Sequence, residues 1–159
     1  MARKPNGTLS WEVDEIAKVF KISRADVREY FTDGRRVSFI IERRMAREIL
    51  KGQLADSEGD EFDIIDSSGR KWEVRSISEG GIYFCPSYMV GSGRKFDKNG
   101  FMSKIKRIDG YIITDIVSFP DMPFWVIKKE IVLDWWKRKE LGTTTKISRQ
   151  KILKLIENL

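Results

Sequence analysis

From Asp63 to Ile77 the chain reads DIIDSSGRKWEVRSI, with apolar and polar residues alternating on both sides of Asp66-Ser67-Ser68-Gly69. Period-two alternation marks half-buried strands, and a four-residue turn with Asp first and Gly last closes them into a β-hairpin. Elsewhere the spacing is helical. Val13, Ile16, Ala17 and Phe20 define a short helix begun by Ser10, and Ser23 caps a second over Arg24 to Phe31. Thr32-Asp33-Gly34 breaks the pattern, and Arg35 to Leu50 is the longest predicted helix. Its stripe is Val37, Ile40, Ile41, Met45, Ile49 and Leu50, with Arg36, Arg43, Arg44 and Arg47 off it. Beyond the hairpin, Ile82 to Cys85 is an apolar run and Lys98-Asn99-Gly100 reads as a turn. Tyr111 to Val117 and Phe124 to Ile127 read as buried strands joined through Phe119 to Pro123, and Ile131 to Lys139 and Ser148 to Leu159 as helices.

That order predicts an α/β (α+β) fold, a central mixed sheet flanked by helices. Its 159 residues are one domain's length. The expected layout is a loose arm at 1–9, where Pro5 and Gly7 interrupt a polar start, a helical part at 10–50, the sheet at 60–130 and closing helices at 131–159. Gly52 to Glu61 reads as an acidic, turn-rich link.

Composition narrows the chemistry. Thirty basic against 24 acidic residues give +6, which favours a polyanionic partner. Histidine is absent, which removes Ser-His and Cys-His nucleophiles, His-ligated zinc and imidazole acid–base catalysis, and leaves carboxylates as the catalytic and metal-binding groups. The single cysteine, Cys85, lies in an apolar run and reads as a buried thiol. No apolar stretch has membrane-spanning length and no signal core follows the basic start, so the reading expects an intracellular, cytoplasmic protein without membrane contact.

Across the predicted hairpin, Asp63 and Glu73 can share one face, where two like charges call for a cation between them. They form a candidate Mg²⁺ pair, or else the solvent face of an ordinary hairpin. Asp63, Glu73 ten residues on, then Val74 and the basic Arg75 resemble the signature of the PD-(D/E)xK nuclease superfamily, and in particular its type II restriction endonucleases. The resemblance covers about fifteen residues of motif. It implies a restriction-endonuclease-like core in which Asp63, Glu73 and the backbone carbonyl of Val74 hold Mg²⁺, and in which Asp63, Glu73 and Arg75 are catalytic. Two positions depart from the pattern: Phe62 replaces its proline and Arg75 its lysine. Arginine stays charged, so Arg75 can stabilise developing phosphate charge but cannot act as a base.

In several branches of the superfamily, including the archaeal Holliday-junction resolvases, a helix before the hairpin adds a glutamate to the metal site. Glu42, following Arg35-Arg36, is similar in kind, and is otherwise an exposed partner of Arg43. By the same resemblance the segment after the hairpin would read DNA. Ser87, Tyr88, Ser92, Arg94 and Lys95 are the candidates there, and Gly91 and Gly93 leave backbone N–H groups open to phosphate. Arg35, Arg36 and Lys104 add charge. The expected activity is therefore a Mg²⁺-dependent endonuclease acting on double-stranded DNA, dimerising to cut both strands. Two other readings stay open: a DNA-binding regulator using residues 12 to 31 as a helix-turn-helix, and a nuclease-like fold that binds DNA without cutting it.

Overall fold

The computed structural model describes residues 2–56 and 61–159. In chain order they form β1 (Gly7–Ser10), α1 (Val13–Phe20), α2 (Arg24–Phe31), α3 (Gly34–Arg44) continuing as a π-helical turn (Met45–Ile49), β2 (Gln53–Leu54), β3 (Ile64–Ile65), β4 (Lys71–Ile77) and β5 (Ile82–Tyr83). There follow α4 (Lys98–Arg107), β6 (Gly110–Asp115), β7 (Asp121–Lys128), α5 (Lys129–Lys137), β8 (Lys146–Ile147) and α6 (Arg149–Glu157), with 3₁₀ turns at Ser87–Met89 and Ile116–Ser118.

The fold is α+β, built on a mixed sheet in the order β1-β7-β6-β4-β3-β2. The predicted hairpin is β3–β4, pairing Ile64 with Trp72 and Ile65 with Lys71. Asp66 sets its turn. One carboxylate oxygen accepts from the N–H groups of Ser68 and Arg70 at 2.8 and 3.0 Å, the other from the Trp72 indole at 2.9 Å. Strands β4 and β6 are parallel, so the chain must cross over between them, and α4 lies on that crossover. The two faces of the sheet carry separate cores. Trp72, Val74 and Ile112 pack with Val27, Phe31, Val37, Ile41 and Met45 of α2, α3 and the π turn. Ile77, Tyr111 and Ile113 pack on the other face with Phe101, Ile105, Val132, Trp135 and Ile152. Along β4 these sets alternate, so Glu73 and Arg75 share the second face with Ile77.

Several expectations need correction. The start of the chain is not a loose arm. Residues 7–10 pair antiparallel with β7 and bury Leu9, while Asn6 and Arg3 bond to the backbone of Val126 at 2.8 and 3.0 Å. Four residues with one inward apolar side chain are too short to show a strand period. Gly7, which read as a loop signal, lies under the Phe124 ring, whose atoms would come within 2.7 Å of an added Cβ. Ser10 ends this strand and caps no helix; α1 begins after Glu12 with no side-chain cap. Ser23 caps α2 as expected, in a capping box with Asp26.

Lys98-Asn99-Gly100 is the first turn of α4, because Asp97 accepts from the N–H groups of Asn99 and Gly100. Strand β7 starts at Asp121 and takes in Pro123, opposite Thr8. Within the expected link, Gln53 and Leu54 form β2 against β3. The Ser57–Asp60 part of that link lies outside the described residues. Among the described residues no helix is long and apolar enough to cross a membrane.

If β1 belongs to the core, Leu9→Ala should lower the unfolding free energy by about 2–4 kcal/mol, the usual cost of a buried leucine truncation. Urea unfolding of the variant checks this, and an unchanged midpoint would return the segment to a dispensable arm.

Candidate functional site

The site is organised where β3 stops. One step past the paired residues, the Asp63 N–H donates to the Trp72 carbonyl at 3.0 Å, which sets Asp63 across from Glu73. With no further strand residue beside β4, the Asp63 carboxylate replaces one, accepting the Val74 N–H at 2.8 Å. Burial and the nearby Glu73 charge raise the Asp63 pKa above the usual carboxylate range.

Glu73 is the most enclosed member, its side chain 4% exposed. Its Oε1 receives Arg75 Nη2 at 2.9 Å and Lys104 Nζ at 3.0 Å, while Oε2 is buried without a hydrogen-bond partner. Such burial is tolerable only because two cations face the carboxylate. Arg75 is committed to the protein. It donates to the carbonyls of Val74 and Cys85, both at 3.2 Å, and lies 5.3 Å from the centre of the Tyr83 ring. Burial opposes its charge, but Glu73 and Asp63 outweigh that and hold the guanidinium protonated.

Lys104, expected among the DNA contacts, is brought onto Glu73. The signal was available: Phe101, Ile105 and Ile108 have helical spacing, and Lys104 flanks that buried face, but reading Lys98 to Gly100 as a turn hid the helix.

Glu42 comes to the same place from α3. Burial, reinforced by Asp63, pushes its pKa up to about 7. The competing expectation, a surface pair with Arg43, is not formed. The Arg43 guanidinium lies 3.3 Å from the centre of the Phe39 ring and donates to the Phe39 carbonyl at 3.0 Å. Beside these groups opens a cavity of about 550 Å³, lined by Phe39, Glu42 and Arg43 of α3, by Phe62 and Asp63, and by Ser87.

The remaining candidates fall into two groups. Arg35 and Arg36 stand exposed at the head of α3, their guanidinium nitrogens 3.9 and 3.5 Å from the Asp33 carboxylate. Ser87, Tyr88, Ser92, Arg94 and Lys95 are exposed on the segment after β5, where Gly91 and Gly93 adopt positive φ. Of these, Ser87 reaches the cavity, and Arg94 donates to the Ser87 carbonyl at 3.2 Å. On α2, Arg24 pairs with Asp14 at 2.8 Å and Arg28 donates to the Phe119 carbonyl at 3.3 Å, so both basic side chains of that helix are engaged within the protein. Asp115, read as structural, is bound through both oxygens by Arg149 at 2.7 and 3.2 Å.

No family model, curated protein or solved structure matches the chain.

Among the described residues no three His, Cys, Asp or Glu side chains converge as a ready-made metal cage. Glu73 is drawn to its two cations, Asp63 to a backbone N–H, and the Val74 carbonyl to Arg75. The donors still fit Mg²⁺ in kind. They are all oxygen, and the orphaned Glu73 Oε2 is a buried acceptor for which a cation is a suitable partner.

Glu42 makes stability fall with pH in the metal-free protein. Between its ordinary value of 4.5 and about 7 the folded chain keeps a proton that the unfolded chain has lost, so the folded state binds more protons and unfolding becomes easier as pH rises. Glu42→Gln should therefore be more stable than wild type at about pH 8 in EDTA, with the difference gone near pH 4. Paired urea titrations measure it, and a gain that does not shrink on acidification would contradict the assignment.

Proposed function

We propose that the chain is a Mg²⁺-dependent endodeoxyribonuclease of the restriction type. The observation that carries this reading is the buried Glu73 carboxylate, opposite Asp63 on the hairpin, with Oε2 left without a partner while Oε1 takes two cations. An ion at this place would be held by Asp63 and Glu73. When bound, it supplies positive charge to the phosphodiester and lowers the pKa of water. Arg75 is a positioning residue: it orients Glu73 through an ion pair at 2.9 Å and is held by two carbonyls. Lys104, paired with Glu73 alone and 21% exposed against 10% for Arg75, is the better placed of the two cations to meet a scissile phosphate oxygen. Glu42 stands on the same opening, and its carboxyl, pushed up to about 7 when no cation is bound, is the group placed there to exchange a proton with water. One such site cuts one strand, so cleavage of both strands of double-stranded DNA calls for a homodimer.

A second reading has an observation of its own. Arg75 occupies the Val74 carbonyl and shares Glu73 with Lys104, which favours a site closed by internal ion pairs and a protein that binds DNA without cutting it.

Incubation with supercoiled plasmid separates the two, cleavage being expected with Mg²⁺ and none with EDTA. Asp63→Asn and Glu73→Gln should each lower the rate by about 10²-fold or more while binding in Ca²⁺ persists. Glutamine is the better replacement at 73, because its amide oxygen can still accept from Arg75 and Lys104 and it fills the same space, whereas alanine removes the acceptor and leaves a cavity as well as the charge loss common to both. Full activity in either variant would remove the metal assignment.

The two cations should also part company. Arg75→Lys keeps charge beside Glu73 and should retain much of the cleavage, whereas Lys104→Met should lose most of it and, by taking one of the two cations from the buried Glu73, lower the melting temperature as well, with Lys104→Arg restoring both. A Lys104→Met protein that cuts at the wild-type rate would take Lys104 out of the reaction.

A further inference from the structure

Phe39 is 59% exposed, on the rim of the cavity that holds Glu42 and Asp63. Isolated exposed apolar residues are ordinary on protein surfaces. Three observations set this one apart. Phe39, Glu42 and Arg43 are spaced i, i+3 and i+4 on α3, so the ring, the carboxylate and the guanidinium lie on neighbouring parts of one helical face. The Arg43 guanidinium rests on the ring, 3.3 Å from its centre, and forms with it a composite flat surface carrying positive charge. The cavity itself, about 550 Å³, is of the size that small ligands occupy, and Leu54 and Phe62 give it apolar wall in addition to Phe39.

An aromatic face beside a guanidinium is the chemistry that recognises a nucleobase out of its stack. In an intact duplex each base is covered above and below by its neighbours, so no face is presented to Phe39 and no base enters a concave site. We propose that this cavity binds an unpaired nucleotide, its base stacked on the face of Phe39 that Arg43 leaves open and its phosphate directed to Arg43, next to Asp63. The inference rests on the nuclease reading and deepens it. The substrate becomes DNA with an unpaired position beside the scissile bond, in a single strand, a flap or a base turned out of the duplex. Turning out costs least where pairing is already missing. Arg35, one turn before Phe39 and almost fully exposed, extends the positive stripe along which the adjoining backbone would run.

The test is binding in Ca²⁺, with cleavage in Mg²⁺ read separately. Fluorescence anisotropy compares three labelled DNAs of one sequence: a single strand, an intact duplex, and a duplex with one unpaired 2-aminopurine. Wild type should bind the two unpaired forms about tenfold more tightly than the intact duplex, and 2-aminopurine fluorescence should change on binding. Phe39→Ala should lose about that tenfold on the unpaired forms alone, together with the fluorescence change, and Phe39→Trp should restore both. Phe39 is exposed, so its removal leaves the core intact. Equal affinity for all three DNAs, or an equal loss on all three in Phe39→Ala, would overturn the proposal. Its failure is distinguishable from that of the nuclease reading. Plasmid cleavage that ignores Phe39 removes the nucleotide site and keeps the nuclease. A Phe39-dependent preference in a protein that cuts nothing keeps the nucleotide site and removes the nuclease.

Discussion

A buried carboxylate between two cations is the constraint on which the rest of this molecule depends. Glu73 lies in the middle of β4 on a face otherwise given to hydrophobic packing, and its charge is tolerable there only because Arg75 and Lys104 approach it from different elements. Arg75 comes from the same strand, and its Nη1 and Nη2 also donate to the Val74 and Cys85 carbonyls, which ties β4 to the segment after β5, while its Nε is buried without a partner. Lys104 comes from α4, so that helix must sit on the sheet in one register for its ammonium to arrive. The ion cluster thereby fixes how the β4–α4–β6 unit packs, whatever chemistry it performs.

The shortness of β3 does the complementary work. A longer partner strand would cover the edge of β4 and bond its backbone throughout. Because β3 gives way to Asp63, a carboxylate takes the Val74 N–H in place of a carbonyl, and the edge opens toward α3 and its cavity. Glu42 is then half-enclosed against that opening, which is why its proton is held so far above the ordinary glutamate range. A single truncated strand so brings together a sheet edge, a helix face and a cluster of like charges.

Much of this was legible in the sequence, and what was missed was missed for identifiable reasons. The hairpin, its turn, the Asp63–Glu73 pair and the stripe from Val37 to Met45 follow from local periodicity, whereas Ile49, expected on the same stripe, is turned out to solvent after the π-helical turn. Glu42's place followed from a resemblance and not from its neighbours, since Arg43 beside it offered an equally good surface partner until Phe39 proved to hold it. Strand β1 was invisible because Gly7 and Pro5 are loop signals when nothing is known of the Phe124 ring above Gly7. Lys104 reads as a DNA contact in the sequence, and its approach to Glu73 stays hidden as long as the Asn-Gly pair outweighs the Asp97 cap in front of it. Only at Gly7 did a contact distant in the chain decide between two local readings; at Glu42 and Lys104 the deciding contacts, Arg43 on Phe39 and the Asp97 cap, lie within one helical turn, and local patterning offered a competing reading of equal weight.

The pairing of β1 with β7 also orders events in time. Asn6 and Val126 are 120 residues apart, so the first strand of the chain has its partner near the other end. Closing so long a loop costs entropy that local helices never face, and topologies rich in such contacts fold slowly. A nascent chain can form α1, α2 and α3 early, but their sheet-facing residues have no complete surface to settle on until β6 and β7 have been made. Until β1 returns to it, β7 presents an open row of backbone donors and acceptors, the kind of edge on which unfinished chains associate with one another.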